Sequence, residues 1–180
     1  MELKKMTKKY SEIRKNLKTG DLLAWEVTKI NSFFSFILFL YQKLFNIKYS
    51  HTGVVLKISD RLFVVEATPP VVRIFPISMC NDFYYIPVNI DIQNKHIDKL
   101  LIHIGKKYNL IDLIKGMLYL GTSEESYYCS ELNGKFYKNC GIIINDLDFI
   151  TPQRLVEAIQ KVTDKEPEFV IIDKANLNII

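Results

Sequence analysis

The chain has 180 residues, 48% of them hydrophobic and 12% aromatic, enough to bury one substantial core and too apolar for a disordered chain. The formal charge of +4 is unevenly placed: residues 1–18 hold seven Lys and Arg against Glu2 and Glu12, so the positive excess lies at one end and the remainder is close to neutral. A dedicated nucleic-acid surface needs a clustered basic patch, so that class is excluded. The three cysteines, Cys80, Cys129 and Cys140, make neither an even framework nor a Cys-x-x-Cys pair, which excludes a disulfide scaffold and a zinc finger. Reduced thiols in an intracellular, cytoplasmic setting are expected.

Residues 1–18 read as a basic amphipathic helix or tail. No apolar stretch follows them in the manner of a secretory signal. A single domain is expected over 19–180. A turn at Thr19-Gly20-Asp21 leads into a strand over 22–27. The next segment, 32–45, predicts a helix with Phe33, Phe34, Phe36 and Phe39 packed into a short span. Its apolar core is too short to cross a bilayer, which takes roughly 20 apolar residues, so no transmembrane helix is expected. Its aromatic load suits either a buried helix or peripheral membrane contact. Short β runs follow over 51–58, 62–68, 71–75 and 83–88, punctuated by Ser59-Asp60, Pro69-Pro70 and Pro76. Helical spacing returns over 92–108 and again around 110–120. A further helix should begin near Cys129, carry Leu132, Phe136 and Tyr137 on one side and stop at Gly141. Thr151-Pro152 has the cap and first-position proline of a last helix reaching Ile159, with a strand over 169–172 after it. The pattern predicts an α+β domain in which an antiparallel sheet packs against helices.

A two-residue hairpin loop at Ser59-Asp60 sets the register of the two strands beside it. Gly53 then lies opposite Glu66, and His51 opposite Thr68. One face collects Val54, Leu56, Ile58, Phe63, Val65 and Ala67, and is wholly apolar. The other collects His51, Gly53, Val55, Lys57, Leu62, Val64 and Glu66. His51 and Glu66 fall diagonally across adjacent strands at a Cβ separation of about 7 Å, within reach of a hydrogen bond. A loop one residue longer would turn Glu66 into the apolar face, unpaired and costly.

A cysteine in the first turn of a helix has its thiolate stabilised by the positive end of the helix dipole. With an imidazole to take or hold the proton and a carboxylate to orient the ring, Cys129, His51 and Glu66 supply the parts of an activated thiol nucleophile. His96 and His103 lack such neighbours and read as ordinary residues of one helix face.

Five short blocks in order resemble a known family: Thr19-Gly20-Asp21-Leu22-Leu23; Tyr49-Ser50-His51-Thr52-Gly53-Val54-Val55; Val64-Val65-Glu66-Ala67-Thr68-Pro69 with Val72-Arg73-Ile74-Phe75-Pro76; Tyr127-Tyr128-Cys129-Ser130-Glu131-Leu132; and Thr151-Pro152-Gln153-Arg154-Leu155. Together they are similar to the circularly permuted branch of the NlpC-type papain-like superfamily, which takes in YiiX-like bacterial proteins, lecithin:retinol acyltransferase-like enzymes and poxviral members. In that branch the histidine strand precedes the cysteine helix. The resemblance implies a permuted papain-like domain over 19–180, with Cys129 as nucleophile, His51 as general base and Glu66 as the residue that orients the imidazole. It implies that Tyr128, Thr52 and Thr68 serve the oxyanion or the substrate. Glu66 departs from relatives that use a second histidine there. The activity implied is hydrolysis or acyl transfer at an amide or ester, through a thioester, on an acylated, lipid-like or peptide substrate, with no metal or organic cofactor.

Two other readings share these features. A fold can outlive its chemistry, leaving a binding or scaffold protein. A membrane-associated factor would use the basic N-terminus and the Phe-rich segment.

Overall fold

The computed structural model describes residues 7–26, 43, 47–108, 127–144 and 150–173. In chain order they form β1 (Thr7–Lys9), α1 (Tyr10–Ile13), β2 (Leu22–Trp25), β3 (His51–Ile58), β4 (Arg61–Thr68), β5 (Val71–Pro76), a 3-10 turn (Ile77–Met79), β6 (Phe83–Ile86), α2 (Asn94–Leu101), α3 (Cys129–Asn139), α4 (Pro152–Thr163) and β7 (Glu168–Ile171). The helices expected over 32–45 and 110–120 lie outside the described residues, apart from Lys43.

β3 and β4 pair antiparallel from Val54↔Val65 to Ile58↔Arg61, the register that a two-residue turn dictates. Ser59 takes the positive φ of 52° that such a turn needs. The same logic governs the next hairpin, where Thr68 pairs with Val71 and Glu66 with Arg73. The seven strands run β1-β7-β6-β2-β3-β4-β5. Every pairing is antiparallel except β1 with β7, which is parallel and corrects the expectation of a purely antiparallel sheet.

Both faces of the sheet are buried. On one, Leu22, Ala24, Val54, Leu56, Val65 and Ala67 pack under Leu132, Phe136 and Tyr137 of α3 and Leu155, Val156 and Ile159 of α4. On the other, Leu23, Val55, Leu62 and Val64 meet Tyr10, Ile13 and Leu17, together with Ile77, Phe83 and Val170. The N-terminal segment is thus divided. The expected helix shrinks to the single turn of α1, and β1 joins the sheet, where Lys8 pairs with Glu168 at 2.8 Å.

Two helices begin as expected, each by a different device. Thr151 accepts the Arg154 N–H at 3.3 Å with Pro152 in the first turn of α4. α3 has Tyr128 as its N-cap, in extended conformation, and Gly141 beyond its end at a φ of +90°. α2, by contrast, stops at Leu101, short of the expected Tyr108. The chain then turns back so that Val72 N–H bonds Lys106 O and Gly105 N–H bonds Val72 O, and pairing with β5 outweighs the apolar spacing that suggested more helix. His103 therefore leaves the helix and stacks on Tyr127 with ring centroids 4.5 Å apart. His96 stays on α2, where it is buried and its Nδ1 accepts the Gln93 N–H at the start of the helix.

Candidate active site

β3 delivers His51 at its first residue, β4 delivers Glu66 two residues before its end, and α3 delivers Cys129 at its first. Because β3 alternates, His51 shares a face with Gly53 and Val55, while Thr52 faces α3. Asn133, one helical turn beyond Cys129, donates to Thr52 Oγ1 at 3.0 Å and so ties α3 to the start of β3. Gly53 is required by packing. A Cβ there would stand 2.3 Å from Val64 Cγ2 and 3.3 Å from Val65 O, so a side chain beside His51 would push the hairpin apart.

The three side chains meet. His51 Nε2 lies 2.6 Å from Glu66 Oε2. The Cys129 thiol lies close enough to the imidazole for the charge of each to act on the other. Backbone N–H groups of Thr52 and Ser130 donate to the same sulfur. Trp25, paired with His51 across β2, sets its ring 5.3 Å from the imidazole and covers it. The Cys129 residue is only 1% exposed, whereas the His51 side chain keeps 24% of its surface, so the cluster reaches solvent at the imidazole.

The electrostatics follow from that geometry. Burial disfavours the imidazolium, but the Cys129 charge and hydrogen bond, then those of Glu66, outweigh it and raise His51 to about 10. Burial also disfavours the Cys129 thiolate, yet the His51 charge and hydrogen bond, with the Thr52 and Ser130 N–H groups, bring its pKa below that of an ordinary thiol. Burial alone would raise Glu66; His51 and Arg73 lower it instead. The other thiols lack this help. Burial pushes Cys80 up to about 12 and Cys140 to about 11, so both stay protonated at neutral pH.

Of the other residues singled out in the sequence, Thr52 contacts the sulfur through its backbone and Tyr128 adjoins Cys129, while no hydrogen bond joins Thr68 to the cluster among the described residues. Two neighbours were missed. Burial raises the Tyr108 phenol and the nearby Cys129 charge adds to it, and Tyr108 bridges to Tyr127, two residues before Cys129. Arg73 donates Nε–H and an Nη–H to Glu66 Oε1 at 2.8 and 2.7 Å. The signal for Arg73 was present, because a two-residue turn at Pro69-Pro70 sets it opposite Glu66 as the first turn set Gly53.

Fold and cluster together define a mixed α+β protein, with a seven-stranded sheet and four helices among the described residues, and a thiol, an imidazole and a carboxylate gathered where α3 meets β3. Among solved structures it is similar to the crystal structure of the metalloprotein YiiX from Escherichia coli O157:H7, with 20% identity over 88% of this chain and 90% of that one and a TM-score of 0.51. At that identity the likeness is one of fold. No protein-family model matches the sequence, and no curated protein matches it. The neighbour is described as a metalloprotein. Among the described residues no group of three or more His, Cys, Asp and Glu side chains is placed to hold an ion, and the charge of Glu66 is met by Arg73. Among those residues, too, no helix is long and apolar enough to cross a membrane.

Proposed function

We propose that this protein is a cysteine hydrolase or acyltransferase on a circularly permuted, papain-like NlpC-type fold, acting on an amide or ester of an acylated, lipid-linked or peptide substrate. The observation that carries the reading is a thiol in the first turn of a helix, close enough to His51 to interact with its charge, with Glu66 holding that imidazole at 2.6 Å. In the resting state the Cys129 proton resides on His51, giving a thiolate–imidazolium pair. The thiolate attacks the substrate carbonyl carbon, and backbone N–H groups at the start of α3 receive the developing oxyanion. As the tetrahedral species collapses, His51 gives its proton to the leaving amine or alcohol, and a Cys129 thioester remains. Neutral His51 then takes a proton from water or an acceptor alcohol as that oxygen attacks the thioester. Release of the acid or the new ester restores the ion pair.

A second reading, a binding protein that keeps the architecture, is favoured by the 1% exposure of Cys129. Alkylation of the folded protein by iodoacetamide at pH 6 to 7, read by peptide mass spectrometry, separates the two. The hydrolase reading expects label at Cys129 well ahead of Cys80 and Cys140, abolished in Cys129→Ala together with turnover of activated ester and amide substrates, with folding unchanged. Equal labelling of the three thiols, or none before denaturation, supports the binding protein.

A further inference from the structure

Glu66 has one oxygen on His51 and the other on a residue the mechanism above does not use. Arg73 stands directly opposite Glu66 on β5, and its guanidinium places two donors on Oε1 while His51 takes Oε2. The Phe75 ring lies 4.4 Å from the guanidinium carbon and supports it from the side. We propose that Arg73 is a positioning residue for the thiol chemistry: its forked contact turns Glu66 toward His51 and keeps that carboxylate an anion in both protonation states of the imidazole.

The need for it comes from burial. Glu66 is 4% exposed, and a buried carboxylate facing only an imidazolium has a neutral alternative, in which the proton on His51 Nε2 crosses to Glu66 Oε2. That transfer removes the imidazolium on which the Cys129 thiolate depends. An arginine cannot take part in it, because it does not give up its proton, so Arg73 penalises the neutral pair without offering a third state. The demand is greatest midway through the reaction, when His51 has passed its proton to the leaving group and Glu66 would otherwise be a lone buried charge. The other groups near this line are few. Cys80 faces Glu66 and Arg73 and stays a neutral thiol, Tyr108 faces Cys129 and stays a neutral phenol, and Trp25 against His51 carries no charge.

This inference rests on the activated-thiol reading but is tested apart from turnover. The measurement is the pH dependence of iodoacetamide alkylation at Cys129, with Cys80 and Cys140 as internal references, in wild type, Arg73→Gln, Arg73→Lys, Glu66→Gln and the Arg73→Gln/Glu66→Gln double variant. In Arg73→Gln the acid midpoint should move up by about one pH unit, which is a roughly tenfold lower rate on the acid limb. Arg73→Lys, which keeps the charge without the fork, should fall between Arg73→Gln and wild type. In the Glu66→Gln background, Arg73→Gln should add nothing, because Arg73 acts through Glu66. The Arg73 side chain is 44% exposed, so both single variants are expected to fold, and near-ultraviolet circular dichroism checks that they do. Arg73 variants whose profiles overlay wild type, or an equal shift with and without Glu66, would overturn the assignment. A wild-type Cys129 that titrates like Cys80 and Cys140 would instead remove the activated thiol itself, and Arg73 would have nothing to position.

Discussion

The two faces of the β3–β4 hairpin come from alternate residues of the same sixteen positions, yet they are built in opposite ways. The face under α3 and α4 is apolar over Val54, Leu56, Val65 and Ala67, and its partners are helices. The opposite face is apolar only in its middle, where Val55, Leu62 and Val64 meet Tyr10, Ile13 and Leu17. Toward the far end of the hairpin it changes to His51, Glu66 and, from β5, Arg73. Strand alternation explains how one hairpin serves both purposes: Gly53 leaves room beside the histidine, and Thr52 reaches through to α3. The polar cluster sits where one core gives out.

The sharpest way to break that contrast is to neutralise the polar end while keeping its shape. Glu66→Gln removes a charge and a hydrogen bond that raise His51, so the imidazolium should be lost below its present value of about 10, and the Cys129 thiolate should lose part of its partner. The acid midpoint of Cys129 alkylation should move up, with a rate at pH 6 lowered about ten- to a hundredfold. Stability follows with definite signs. His51 has a raised pKa, so its contribution is full below its ordinary 6.5 and is lost as pH rises through about 10; in the variant that loss should be smaller and complete at lower pH. Glu66 has a lowered pKa, so its contribution is present above its ordinary 4.5 and is lost as pH falls through its folded value; in the variant that acid component should vanish. Denaturant midpoints measured from pH 3 to 10 check both limbs.

How much of this was legible in the sequence depends on how local each cause is. The hairpin register was readable because a two-residue turn and strict alternation leave one pairing that buries the apolar set, and the structure has that pairing. The start of α4 was readable because Thr151 and Pro152 act within one turn. β1 was not, being three residues whose only reason to be extended is β7, some 160 residues away. The same distance hid the second core. Alternation shows that Val55 and Val64 share a face with His51, but it cannot show that Tyr10 and Ile13 return to cover them. α2 was drawn too long for a related reason, since Ile102 and Ile104 continue its apolar spacing and yet face solvent. Arg73 lies within reach of the same register arithmetic, since the turn at Pro69-Pro70 sets it opposite Glu66.

Val64 and Val65 sharpen the comparison, since they are neighbours in β4, belong to opposite faces and are both fully buried. Each Val→Ala change removes two methyl groups and leaves a cavity, for a loss of about 2 kcal/mol by urea denaturation. Near-equal losses are the expected result. A solvated second face would instead leave Val64→Ala close to neutral, and the packing of Tyr10, Ile13 and Leu17 against it would then have to be abandoned.

The smallest effect belongs where the helix-covered face runs out. Along β3 the residues facing α3 go from Val54, fully buried, through Leu56 at 4% exposure to Ile58 at 50%. Alternation treats the three alike, because it registers direction and not cover. Ile58 sits beside the turn and pairs with Arg61, so its side chain has left the shelter of the helices. Ile58→Thr keeps the β-branch that suits a strand and exchanges apolar surface already in contact with water, so stability should change by no more than about 0.5 kcal/mol, with an unchanged denaturant slope. A loss as large as that of Val65→Ala would mean that the apolar core extends to the turn, and that the two faces differ less in their extent than in their chemistry.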